Sequence, residues 1–128
     1  METAIIVAGT PVVRIMLGLI MVSVPSYAFL NKDFPPKQPE KAQRLMHSFR
    51  ESGYLLYFIQ STELLMGLLL LSGYFTPLAA LILMPVSINI LLFHLFLAPP
   101  IGAGILIFLM NVLLLWACRA DYMALLHP

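Results

Sequence analysis

Four long apolar runs, separated by short polar or proline-marked breaks, dominate the chain. They predict helices at about 11–30, 54–73, 77–97 and 101–118. At 1.5 Å per residue, each run reaches roughly the 30 Å of a bilayer's hydrocarbon core. The first, PVVRIMLGLIMVSVPSYAFL, starts near Pro11, whose fixed φ suits a first helical turn. Residues 31–53 form the one substantial loop. Its NKDFPPKQPE segment places Pro35, Pro36 and Pro39 too close together for a helix. In KAQRLMHSFRESG, Ala42, Leu45, Met46 and Phe49 then fall at i, i+3, i+4 and i+7. That predicts a short amphipathic helix, about 40–52, lying along the membrane interface. Gly73 closes the second run, and Thr76-Pro77 opens the third so soon afterwards that only an antiparallel hairpin fits. Pro99-Pro100 breaks the chain before the fourth. The pattern specifies an all-α protein: a transmembrane antiparallel four-helix bundle in one membrane domain, 1–128, with an interfacial helix between the first two spans.

Composition removes the main alternatives. Hydrophobic residues make up 61% of the 128 and charged residues only 10%, too apolar for a water-soluble domain. The alternating strands of a barrel are missing. A formal net charge of +1 offers no footprint for nucleic acid. Cys118 is the only cysteine, so no intrachain disulfide or dithiol chemistry is available. METAIIVAGTPVV has no basic leader region, which reads as an uncleaved first helix in a multi-pass protein of a cell (inner) membrane. The first loop carries Lys32, Lys37, Lys41, Arg44 and Arg50, against Arg119 on the opposite side. That bias favours a cytoplasmic loop.

Polar residues inside the spans are the candidate chemistry. Glu63 lies about ten residues from either end of the second helix. Asn89 and Asn111 are near the middle of the third and fourth, Arg14 is toward the terminus side, and His94 toward the loop side. Gln60, Glu63 and Gly67 share a stripe. A carboxylate among hydrocarbon costs several kcal/mol unless polar groups receive it. Arg14, Glu63, Asn89, His94 and Asn111 are therefore expected to line a polar core, with Arg14 the natural counter-ion. Helical side chains lean toward their own N-termini, which would separate Arg14 from Glu63 in antiparallel neighbours. Three readings of Glu63 stay open: a structural acid, a ligand-binding group in a core cavity, or a proton or redox group. Asn89 and Asn111 read first as interhelical hydrogen-bonding residues. His47 and His94 are most simply polar tips, since neither belongs to a metal-ligand set.

The run ELLMGLLLLSGYFTPLAA, Glu63 to Ala80, resembles the hallmark of the DoxX-like family of four-span membrane proteins. Arg14 with Gly18, the segment from Phe49 to Leu55 and the closing WACRADY from Trp116 to Tyr122 resemble other parts of that family's pattern. The resemblance implies a compact left-handed four-helix bundle with a polar core. It also implies roles as varied as thiosulfate–quinone oxidation, oxidative-stress complexes and receptor assembly. Eukaryotic relatives are thought to keep their termini cytosolic, opposite to the charge count.

These readings converge on an accessory or binding subunit that is not itself an enzyme and has no catalytic residues or metal. Its ligand would be a quinone or lipid, and its partners the bilayer, a membrane or peripheral protein, or further copies of itself. The alternatives are a quinone-linked oxidoreductase subunit, whose redox centre a partner must supply, and a small-solute or proton carrier.

Overall fold

The computed structural model describes residues 2–30 and 38–126, with side chains from residue 9 onward. The prolines and lysines at 32, 35, 36 and 37 lie outside the described residues. Helix α1 covers Glu2–Leu30, α2 Glu40–Glu51, α3 Leu55–Ser72, α4 Thr76–Phe96 and α5 Gly102–Ala117. A 3-10 turn, Arg119–Tyr122, leads into α6, Met123–Leu126. Among the described residues, three helices are long and apolar enough to cross a membrane. α5 and the segment after it make a fourth candidate, bent by 70° where the chain leaves α5.

Helix α1 begins at Glu2, nine residues before the expected start at Pro11. Pro11 thus sits inside the helix. It removes one N–H, but the apolar residues 4–8 sustain the helix on its other side. Pro25 and Pro85 are likewise accommodated within α1 and α4.

Helices α1, α3, α4 and α5 close into a ring in which α1 packs on α3 and α5, and α4 packs on α3 and α5. Each neighbouring pair is antiparallel. Along α1 and α3, Arg14 meets Leu70, Met21 meets Gly67 and Phe29 stacks on Tyr57. Between α4 and α5, Ala80 and Ser87 meet Asn111, and Leu91 and His94 meet Gly104. The α3–α4 turn is tight because two residues take left-handed backbone. Gly73 has φ +80°, at no steric cost, and Phe75 has φ +58°.

The largest buried cluster lies toward the chain termini, while Pro25, Ala42, Leu56 and Ala98 are buried on the loop side. Leu17, Met21, Leu70, Leu83, Met110 and Leu114 gather with Met66, Ala79 and Ala80 in the half of the bundle nearest the chain termini. Large apolar side chains such as Leu65, Leu92 and Leu113 stay exposed, since hydrocarbon is their solvent. Exposed aromatics form two belts. Tyr27, Tyr57 and Phe58 mark the loop side, and Tyr74, Phe75 and Trp116 the terminus side.

Helix α2 matches its pattern residue for residue. Ala42 is buried and Leu45, Met46 and Phe49 are half-buried, while Lys41, Arg44, His47 and Arg50 are exposed. It packs on α3. Its outer face carries the pairs Arg44–Glu40 and His47–Glu51, the latter at 3.0 Å. Ser52 then turns the chain into α3, its Oγ accepting from the Leu55 N–H at 2.9 Å.

Candidate functional site

Helices α1 and α3 are joined by glycines and an arginine. At Gly67, an added Cβ would lie 2.9 Å from Met21 Cβ and 3.0 Å from the Met21 carbonyl carbon. α1 therefore rests almost directly on the backbone of α3 there. Gly18 continues the contact from the other side, where an added Cβ would lie 3.1 Å from Gly67 O. Such small residues let helices meet closely in lipid, where no hydrophobic effect drives them together.

Arg14 closes the end of this seam. Its Nη1 donates to the Leu70 carbonyl and, at 3.4 Å, to the Leu71 carbonyl. These carbonyls belong to the last turn of α3, which has no further helical N–H to accept from. A cation there also complements the helix dipole. Gly73 leaves room for the guanidinium: an added Cβ would sit 3.1 Å from Nη1.

Arg14 is therefore not the counter-ion of Glu63. Its partners lie seven and eight residues further along α3, roughly 10 Å away at 1.5 Å per residue. The side-chain lean that sequence reasoning raised as an objection acts in this direction.

Asn111 is fully buried and spends its hydrogen bonds within the bundle. Its Nδ2 donates to Ala80 O at 3.0 Å, and its Oδ1 accepts from Ser87 Oγ at 2.7 Å. It clamps α5 to α4. Ser87, buried beside it, also approaches Met84 O at 3.0 Å. Of the two asparagines expected to bond between helices, this one does. Asn89 does not: it is exposed on the outer face of α4 and makes no hydrogen bond among the described residues.

His94 is half-buried, with Nδ1 2.8 Å from Ile90 O, its own helix one turn back. A carbonyl oxygen can only accept, so Nδ1–H is the donor in that bond. Its Cβ packs over Gly104.

Glu63 continues the inner stripe of α3, seven residues before Leu70 and four before Gly67. Those residues are buried, but Glu63 is half-exposed, as are Gln60 and Ile59 one turn on. On α4 and α5, Leu83, Ser87, Asn111 and Leu114 are buried, Ile90 and Ile107 are half-buried and pack against the core, His94 is half-buried, and Ala98 and Gly104 are buried again toward the loop side. The terminus-side half is a dry floor. Between Leu17, Met21, Leu83, Ser87, Ile107 and Asn111, no space remains for a water molecule. Glu63 stands on the loop side of that floor, half-buried. It has no hydrogen-bonding or ion-pair partner among the described residues.

The five expected core residues thus do not converge. Arg14 seals the end of α3, Asn111 fastens α5, His94 bonds its own helix, Asn89 faces outward, and Glu63 is left uncommitted. The structure adds Ser87 and Gly67 to the residues that matter. Gly67 was legible as a stripe-mate of Glu63, and Ser87 is seven residues from His94, on the same face of α4.

The DoxX family model matches residues 9–95. The chain belongs to the DoxX family. The match takes in α2, α3, α4 up to His94–Leu95, and α1 from Gly9 onward. With its apolar helices, this makes it an integral multi-pass membrane protein. No curated protein and no solved structure matches the chain. Within this DoxX chain, most of the hallmark run serves architecture. Met66, Gly67 and Leu70 seat α1, Gly73 turns the chain beside Arg14, and Pro77 O accepts the Tyr122 hydroxyl at 2.7 Å. Glu63 opens that run without such a task.

Proposed function

We propose that this DoxX protein is a non-enzymatic binding subunit. In this reading, the loop-side half of its bundle receives the polar end of a lipid-soluble molecule, a lipid or a quinone, against Glu63. One observation carries the proposal: a carboxyl group on the inner stripe of a membrane helix, half-buried and without a hydrogen-bonding or ion-pair partner among the described residues. An acid at that depth is expensive unless something meets it. Arg14, the cation within the spans, is bound instead to the Leu70 and Leu71 carbonyls. A carbonyl or hydroxyl on a ligand can accept from, or donate to, the carboxyl group. Gln60, one turn closer to the loop side, offers an adjacent amide. The dry floor of leucines and methionines sets how far a ligand descends.

The test is extraction into mild detergent followed by native mass spectrometry, with a short-chain benzoquinone and mixed phospholipids as added probes. The expected result is a small molecule held by the wild type and lost from Glu63→Leu, with Glu63→Gln intermediate and all three melting alike. Wild-type protein that stays empty with every probe, or Glu63→Leu that retains the adduct, overturns the reading. Reduction of the bound quinone by a co-purifying flavoprotein would move the protein to the quinone-linked oxidoreductase class.

A further inference from the structure

The outer face of α4 carries a group that lipid cannot satisfy. Asn89 is exposed, seven residues from the end of α4 at Phe96, so it lies about 10 Å inside the helix end. Its carboxamide has two N–H donors and a carbonyl acceptor, and makes no hydrogen bond among the described residues. Four residues earlier, Pro85 supplies no N–H to the Leu81 carbonyl on the same outward face. Polar groups facing hydrocarbon are costly, and side-chain amides in membrane helices commonly bond across a helix–helix contact.

The surface around Asn89 is built for such a contact. Leu78, Ile82, Pro85, Asn89, Leu92 and Phe96 are all exposed and follow one another at alternating spacings of four and three. That is the spacing of a left-handed helix–helix seam, and it places Asn89 within the seam. Between Thr76 and Phe96 the chain has no Asp, Glu, Lys or Arg, so nothing repels an identical face.

We propose that a second copy of this chain covers the face, in a two-fold dimer that packs α4 against α4. A two-fold axis along the membrane normal brings identical residues together at the same depth. The carboxamide is self-complementary: each Asn89 donates an N–H to the other's carbonyl, so one residue type satisfies both groups. A partner of different sequence would need its own hydrogen-bonding group at that depth. The inference does not depend on Glu63, which faces the bundle interior on a different helix.

Cysteine cross-linking in native membranes tests it. Ile82→Cys and Leu92→Cys are placed singly in a chain whose buried Cys118 is replaced by alanine, and Leu109→Cys, exposed on α5, serves as control. Mild oxidation should give a disulfide-linked species of twice the chain's mass from the two α4 positions and not from Leu109→Cys. In dilution experiments in lipid, Asn89→Leu should weaken the dimer about tenfold and Asn89→Gln should retain most of the affinity. Asn89→Leu only adds apolar surface facing lipid, so unchanged melting of the monomer separates loss of dimer from loss of fold. A homodimer band from neither α4 cysteine, an equal band from Leu109→Cys, an unchanged affinity in Asn89→Leu, or adducts only with another protein would each overturn the proposal.

Discussion

Replacing Gly67 with alanine puts a methyl group where α1 and α3 touch. The added Cβ would meet Met21 Cβ at 2.9 Å, Met21 C at 3.0 Å and Val22 Cγ2 at 3.0 Å, against ordinary contacts of 3.4–4 Å. One of the three is main chain, so α1 must move as a body by about half an ångström or more. Overpacking of this kind costs about 1–3 kcal/mol. The usual gain of alanine over glycine in helix propensity does not offset it. In lipid the unassembled helix is already fully hydrogen-bonded, so both states contain it. Gly18→Ala should be milder. Its Cβ would press at 3.0 Å on Leu71 side-chain atoms, which can turn away, though Gly67 O at 3.1 Å cannot. Gly102→Ala, where a Cβ meets nothing within 4 Å, is the control. Thermal unfolding in lipid nanodiscs should rank the three as Gly67→Ala least stable, then Gly18→Ala, then Gly102→Ala near wild type. If Gly67→Ala melts with Gly102→Ala, the close seating of α1 on α3 is wrong, and with it the account of why these glycines are present.

Three further outcomes follow from the hydrogen bonds. Asn111→Leu leaves Ala80 O and Ser87 Oγ without their buried partner and should cost about 1–3 kcal/mol. Adding Ser87→Ala should recover part of that loss, as a double-mutant cycle in nanodiscs would measure. Arg14→Met uncovers the last carbonyls of α3 and should cost about 1–2 kcal/mol. The melting shifts of Arg14→Met and Glu63→Gln should add within about 0.5 kcal/mol, since the two groups share no bond; strong coupling would restore the ion pair. Tyr122→Phe releases the chain after α5 from Pro77 O, at about 1 kcal/mol. Hydrogen exchange should rise across residues 119–126 and stay unchanged in α1; uniform exchange would deny the latch.

Glu63 was conspicuous in the sequence because a lone acid interrupts an apolar run, and the structure keeps it on the inner stripe. Its surroundings were not legible. Arg14 is the nearest cation by inspection, yet it serves α3 carbonyls that have no sequence signature except a helix ending at Gly73. The same holds for the asparagines. Asn89 and Asn111 read alike in sequence, each a single amide in a hydrophobic helix. One is fully buried and clamps two helices, and the other faces outward.

Element type was fixed locally. A bilayer accepts only segments whose backbone groups bond internally, so apolar length, prolines and glycines announced the spans and the tight α3–α4 hairpin. Helix α2 was legible even to its buried face, because water on one side and protein on the other force an apolar stripe. The four long helices carry no such stripe. Lipid and protein interior are both apolar, so their sequences do not state which face turns inward. Rotation about each helix axis came only from assembly, through the fit of Gly67 under Met21 and the bonds of Asn111 and Arg14. Those contacts left Glu63 facing the interior and Asn89 facing the membrane.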